Sequence, residues 1–202
     1  MEDLSRKRRS IRKYSQKKIS DKKIKNILNA AIWAPSAHNA QPWRFIIISK
    51  SDIKLKLAKA MAKKWGNDLK SDGIDDKIRK ELMSQSIRKF TEPPVLILVC
   101  LTMKDMHDYS DRRNEAEYTM GIQSVAAAIE NMLLAAKIEG LGSCWYCAPL
   151  FCQDLTREIL KIPYDVEPQA LIAIGYAKEE PLQTSRKDLE EISYLNYWSN
   201  EL

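Results

Sequence analysis

The stretch YTMGIQSVAAAIENMLLAA, residues 118–136, is apolar almost all round between Met120 and Leu134. That pattern predicts a helix at the centre of the structure rather than one half in water. Gln123, Glu130 and Asn131 interrupt it, so it reads as a buried helix and not as a membrane span. The helical pattern reaches back to about Asp111 and forward to Glu139, where Gly140 is the natural C-terminal stop.

Working outward from this helix, the neighbouring segments alternate in type. Upstream, Val95 to Leu101 is a continuous apolar run, which predicts a strand buried on both faces. Pro93-Pro94 separates it from a helix carrying Ile74, Ile78, Leu82 and Met83. Another helix opens at Asp52 and carries Ile53, Leu57 and Met61. Trp43 to Ile48 reads as a strand. Before it, Ile24, Ile27, Leu28 and Ala31 recur at helical spacing behind a Ser20 or Asp21 cap, with Pro35 past the end. Downstream, Ser143 to Cys147 reads as a short strand or extended loop, Gln153 to Leu160 as a helix and Gln169 to Gly175 as a strand. Helices interleaved with about four strands predict an α/β or α+β layered domain.

Composition narrows the class. Hydrophobic residues are 45% and charged residues 30% of 202, enough for a full core and a charged surface in one domain. Six Gly, eight Pro and no internal repeat leave no low-complexity linker. The basic N-terminus has no apolar run behind it, so no signal peptide is expected. The four cysteines, Cys100, Cys144, Cys147 and Cys152, are too few for a secreted disulfide scaffold, which points to a reducing cytoplasm. Residues 1–25 hold eleven Lys or Arg against three acids, more than the whole chain's net +6. The positive charge is therefore local, as for a specific anion or a nucleic-acid arm.

Several chemistries lack their residues. There is no Gly-x-Gly-x-x-Gly after a strand, no phosphate loop and no Gly-x-Ser-x-Gly. His38 and His107 are the only histidines, so a three-histidine metal site is impossible. An enzyme built on this chain would leave the difficult chemistry to a cofactor. Cys144-x-x-Cys147, followed by Cys152, invites zinc or a redox dithiol. Zinc needs four ligands, no second cysteine pair exists, and no metal site is expected there.

Three segments carry the positive signal. In Arg8-Arg9-Ser10-Ile11-Arg12-Lys13-Tyr14, an extended backbone would put Arg8, Ser10 and Arg12 on one face. Arginine forks and a hydroxyl suit phosphate oxygens, while the bland alternative is a solvated basic arm. In Ala34-Pro35-Ser36-Ala37-His38-Asn39-Ala40-Gln41-Pro42-Trp43, two prolines fix a loop whose Asn and Gln carry both donors and acceptors. Those groups suit the edge of a heteroaromatic ring, although a polar turn would explain part of the string. Glu139-Gly140-Leu141-Gly142-Ser143-Cys144-Trp145 follows the buried helix, and its glycines allow a backbone close to a planar ligand or simply stop the helix. His107-Asp108-Tyr109-Ser110-Asp111 is either a substrate contact or a cap for the long helix.

In this order, and together with Ile172-Ala173-Ile174-Gly175-Tyr176 and Arg186, these segments resemble the nitroreductase family of FMN enzymes over nearly the whole chain. His107-Asp108-Tyr109, Gly140 to Trp145 and Glu167-Pro168 to Tyr176 look like one branch of it. That branch includes the flavin-binding C-terminal domain of the gamma-glutamyl ligase of the 8-hydroxy-5-deazaflavin coenzyme; the ligase half is absent. The resemblance implies an α+β three-layer sandwich over 1–202, with a central, mainly antiparallel sheet, helices on both faces, and a 178–202 extension embracing the partner of a homodimer. It also implies a site for FMN. Arg8, Arg9, Ser10 and Arg12 match the residues that hold the phosphate and the pyrimidine edge. Pro35, Ser36, Asn39 and Gln41 match the loop that reaches the flavin from the other subunit. Gly142, Ser143 and Trp145 match the segment along the ring, with Cys147 at its edge. Arg186 matches a C-terminal phosphate arginine; Thr184 stands where many relatives carry a second basic residue, and Lys187 or Lys178 lies nearby in sequence.

The activity so implied has two half-reactions, with no protein nucleophile needed. NADH, NADPH or a reduced deazaflavin gives hydride to FMN, and an electron-poor small-molecule acceptor then takes it over the same ring face. A deazaflavin-linked reductase is the nearest alternative. A nucleic-acid-binding module using the basic N-terminus, or a flavin store or sensor, stands outside that class; the first explains neither Asn39-Ala40-Gln41-Pro42-Trp43 nor the glycine segment.

Overall fold

Alternating apolar runs at the middle of the chain build the sheet. The computed structural model describes residues 2–201. In chain order its helices are α1 (Glu2–Lys7), α2 (Asp21–Ile32), α3 (Ser51–Ser71), α4 (Asp76–Thr91), α5 (Arg113–Ile138), α6 (Gln153–Leu160) and α7 (Leu189–Ile192). The strands are β1 (Trp43–Ile48), β2 (Val95–Thr102), β3 (Gly142–Tyr146) and β4 (Val166–Gly175). They form one sheet in the order β1-β2-β4-β3, with every neighbour antiparallel.

Successive strand residues point to opposite faces, so the continuous apolar run of β2 must be covered twice. All eight of its residues are buried. Ile97, Val99 and Leu101, with Ala170, Ile172 and Ile174 of β4, meet Ile27 and Ala31 of α2 and Val125, Ile129 and Met132 of α5. Leu96, Leu98 and Cys100, with Leu171 and Ala173, meet Leu57, Ala58 and Met61 of α3 and Phe90 of α4. The result is three layers, α2 and α5 on one face and α3, α4 and α6 on the other. Burial pushes the Cys100 thiol up to about 12.

Local chemistry sets the element ends. The Ser20 hydroxyl accepts from the Lys23 N–H and caps α2, a contact worth about 1 kcal/mol. Asp75 accepts from the N–H groups of Lys77 and Ile78, so α4 begins after it and Ile74 falls outside the helix, contrary to the sequence pattern. The buried Lys54 ammonium donates to the carbonyls of Thr91, Pro93 and Pro94, satisfying the end of α4. Gly140, at φ +71°, ends α5 as expected.

Two expectations change. β4 starts at Val166 rather than Gln169, because a register shift opposite Val99 and Cys100 lets Pro168, which has no N–H to give, stay in the strand. The long helix α5 is not central. It lies in an outer layer, with Tyr118, Ile122 and Ile138 exposed, so its apolar circumference exceeds what this chain covers. Among the described residues, no helix is long and apolar enough to cross a membrane.

Candidate functional site

The basic segment is docked. Ser10 bridges Ser143 in parallel, with the Ile11 N–H donating to the Ser143 carbonyl at 2.9 Å. Further on, the Ser15 N–H donates to the Tyr176 carbonyl and the Lys178 N–H to that of Lys13. The arm thus covers the outer edge of β3. Ile11 and Tyr14 are the apolar anchors. A side chain on Gly142 would start 2.6 Å from Ile11, so the space that glycine leaves is taken by the arm and not by a flat ligand.

This docking builds a groove of about 760 Å³ lined by Arg6, Arg8, Arg9, Lys137, Gly142 and Ser143, among others. Five cationic side chains, Lys7 included, against the single acid Glu180 around one cavity make it a place for an anion. Arg8 is mostly buried, with 23% of its side chain exposed. Its Nε lies 3.5 Å from a Glu130 carboxylate oxygen but out of hydrogen-bond alignment, and it has no hydrogen-bond partner. Arg9 donates to the carbonyls of Arg6 and Arg8. Arg12 is exposed, donates to the Ser10 carbonyl at 3.3 Å and does not line the groove. Its charge is felt instead by the buried Tyr14 and Tyr146, whose hydroxyls burial pushes far above their ordinary value.

The polar loop lies elsewhere on the molecule. Ser36 Oγ accepts from the Gln41 N–H at 3.1 Å, and the Ala37 N–H donates to Ser124 of α5 at 3.2 Å. His38, Asn39 and Gln41 all have positive φ, at 55°, 54° and 48°. Three such residues in a row of four mark a backbone held in a tight, polar-out shape. Neither Pro35, Ser36, Asn39 nor Gln41 lines the groove. Ser124 and Lys137 are thirteen positions apart on α5, about 20 Å along its axis. One chain therefore keeps its loop and its groove apart.

The remaining candidates divide in the same way. Trp145 packs against the α2–α5 core with its indole N–H buried and unpartnered. Cys147 is exposed and opens onto a second, smaller cavity with Trp65, Phe90, Tyr146 and Phe151. Arg186 is exposed and folds onto its own backbone and Thr184, away from the groove.

A second polar cluster escaped the sequence reading. Glu117 of α5 is buried, with 4% of its side chain exposed. Its Oε1 lies 3.2 Å from His38 Nε2 and 3.9 Å from His107 Nδ1, and its Oε2 is buried without a partner. The two imidazoles stack at 3.9 Å. The readable signal was an acid continuing the buried stripe Gly121, Ser124 and Ala128 of α5. In the His107–Asp111 segment, Asp111 accepts from the Arg113 N–H at 2.9 Å, as a helix cap does.

These features have counterparts in known proteins. The nitroreductase family model matches residues 5–176, from the arm to the end of β4. A protein of Archaeoglobus fulgidus, whose name offers NADH dehydrogenase or NAD(P)H nitroreductase as its activity, is 34% identical over 86% of this chain and 83% of its own. Mouse iodotyrosine deiodinase 1 is 27% identical over 94% of this chain and 67% of its own. The crystal structure of a BluB-like flavoprotein from Clostridium difficile superposes with a TM-score of 0.79 at 27% identity, covering 96% of this chain and 97% of that one. With a family match that runs through both the arm and the sheet, the chain belongs to the nitroreductase family.

Proposed function

We propose that this protein is an FMN-dependent oxidoreductase that passes hydride from NADH or NADPH to an electron-poor small molecule, working as a homodimer with two shared sites. The observation that carries the reading is the half-buried Arg8 side chain on the wall of a cationic groove, its Nε without a hydrogen bond and facing only the Glu130 carboxylate at 3.5 Å. A buried guanidinium donor without an acceptor is costly, and an anion in the groove would satisfy it. The groove volume lies in the range of small-molecule sites, about 300–1,000 Å³. The residues present therefore fit a phosphate-bearing flavin. The likeness to a flavoprotein and to a relative named for NAD(P)H chemistry supports the cofactor and the donor.

Bound FMN supplies the hydride transfer between donor and acceptor. The chain's own residues bind and orient. Arg8, Arg9 and Ser10 present charge and a hydroxyl to the phosphate, and Arg12 adds positive charge on the Tyr146 side. Ile11, wedged into the space at Gly142, keeps the arm pressed against β3 and so keeps Arg8 in place. Gly142 and Ser143 at the start of β3 form the wall beside which the flavin would lie, while Trp145 and Cys147 stand outside the groove. Pro35, Ser36, Asn39 and Gln41 serve the site of the second copy, since within one chain they stand about 20 Å along α5 from Lys137 of the groove. The large exposed apolar side chains Trp33, Tyr118, Ile122, Tyr197 and Trp198 leave surface that a second copy would cover. Arg186 reaches a phosphate only if the tail rearranges on pairing.

The purified protein should be yellow, release FMN on denaturation, and bleach anaerobically with NADH or NADPH. Protein that stays colourless when mixed with FMN would remove the reading. Release of FAD in place of FMN would count against the phosphate assignment.

A further inference from the structure

We propose that His38, His107 and Glu117 form a site for a divalent transition-metal ion, distinct from the cationic groove of the same chain. One ligand atom from each of the three residues lies within 4.8 Å of the others. Two imidazole nitrogens and a carboxylate are a ligand set used by zinc and iron(II), and three protein ligands leave a position open for water or a small anion.

Geometry argues for an occupant. In a tetrahedral zinc site, ligand bonds of about 2.0–2.2 Å put the donor atoms about 3.3–3.6 Å apart. His38 Nε2 and Glu117 Oε1 already stand at 3.2 Å, and His107 Nδ1 is 3.9 Å from the same oxygen. Closing the set requires His107 to leave its stack on His38 and turn Nδ1 toward the ion, because two parallel rings cannot both aim a lone pair at one metal. The second observation is Glu117 itself. Its side chain is 4% exposed, and Oε2 is buried with no hydrogen-bond donor. Buried carboxylates are normally paired or bound to metal. Here the groups that face it are two stacked rings, and Arg113, one turn earlier on α5, is spent on Asp111. The Tyr109 hydroxyl, 3.4 Å from His107 Nδ1, competes for that nitrogen and would turn away on binding.

Each ligand is held by the fold. Glu117 is fixed by the first turns of α5. His38 sits at φ 55°, in a turn whose neighbour Ala37 is tied to Ser124. His107 comes from the loop after β2. The open position faces outward, since both histidines are partly exposed.

The test uses Co²⁺ and Zn²⁺ with the tag-free, full-length protein, its flavin retained, after treatment with a chelator. Calorimetry should give one saturable zinc site per chain. Cobalt should give visible d–d bands without a thiolate charge-transfer band. H107A, at an exposed loop, and the isosteric E117Q should each weaken zinc about a hundredfold or more, with circular dichroism reporting that both stay folded. If E117Q does not fold, H107A alone decides. The absence of saturable binding, a thiolate band, or unchanged affinity in H107A would overturn the proposal. FMN content is read from the same samples, so failure here and failure of the flavin reading are told apart.

Discussion

Residues 8–19 and residues 178–201 both lie outside the main helices and strands, and both mix charged with apolar side chains. The first segment is stitched to the sheet by backbone hydrogen bonds to Ser143 and Tyr176, and it buries Ile11, Tyr14 and Ile19. The second makes its hydrogen bonds mainly to itself, as in Leu195 to Asn200, and exposes Tyr197 and Trp198 at 78% and 84%. The difference lies in what each meets. The arm finds an open strand edge and a glycine whose missing side chain receives Ile11. The tail's aromatics find no such socket in their own chain; Tyr194 stacks only on Trp198, at 4.7 Å. Sequence polarity alone does not decide whether a terminal segment belongs to a fold; a complementary edge does.

The largest expected effect tests the socket. Ile11→Ala removes a buried side chain from the second core and should cost about 2–5 kcal/mol, read as a fall in the urea midpoint. A change below about 0.5 kcal/mol would mean that the arm is loosely held, like the tail. Next comes Arg8→Ala. Losing a hydrogen bond to a charged group contributes about 1.5–3 kcal/mol, so FMN should bind about ten- to a hundredfold more weakly. Riboflavin, without a phosphate, should bind both proteins alike. If FMN affinity is unchanged, the arm is structural and the phosphate assignment fails. Gly142→Ala puts a methyl group 2.6 Å from Ile11 and should cost about 1–3 kcal/mol. The Ile11→Ala change in the same protein should recover part of that loss, and strict additivity would separate the two positions. The smallest effect on the monomer belongs to the tail. Deleting from Tyr194 onward should change unfolding free energy by no more than about 0.5 kcal/mol. Sedimentation should nonetheless show a weaker dimer, with lower flavin content. Unchanged sedimentation would take the tail out of the pairing.

The fold was legible where periodicity was strong. Continuous apolarity in Val95 to Leu101 foretold a doubly covered strand, and the spacing of Ile24, Ile27 and Ala31 foretold the inner face of α2. The all-round apolarity of α5 was misread as centrality, because a single sequence does not say whether the cover comes from the same chain. Of the candidate site, the arm and the glycine segment came together in one groove, with Arg8, Arg9, Gly142 and Ser143 on its wall. Arg12, Arg186 and the Pro35 to Gln41 loop did not join it. Alternation placed Arg8 and Arg12 on one face, but Arg8 closes the last turn of α1, its N–H donating to the Leu4 carbonyl, so the two do not share an extended segment. The pairing of His38, His107 and Glu117 was invisible because it joins a loop, a second loop and a helix with no shared motif.

The stitching of the arm also sets an order of events in the growing chain. Tyr14 hydrogen-bonds a carbonyl 159 residues away, and Lys13 pairs with Glu179 across 166 residues. At about 5–20 residues per second, a ribosome needs on the order of ten to thirty seconds between making one and the other. For that interval the basic segment has no edge to join, and the groove has only one wall. Long-range contacts close late because their loop entropy must be met first. Translation that stops before β4 would therefore leave Arg8 and its neighbours as an unattached polycation, open to any polyanion nearby. The cationic groove would be completed only once β4 and the residues just after it have been made.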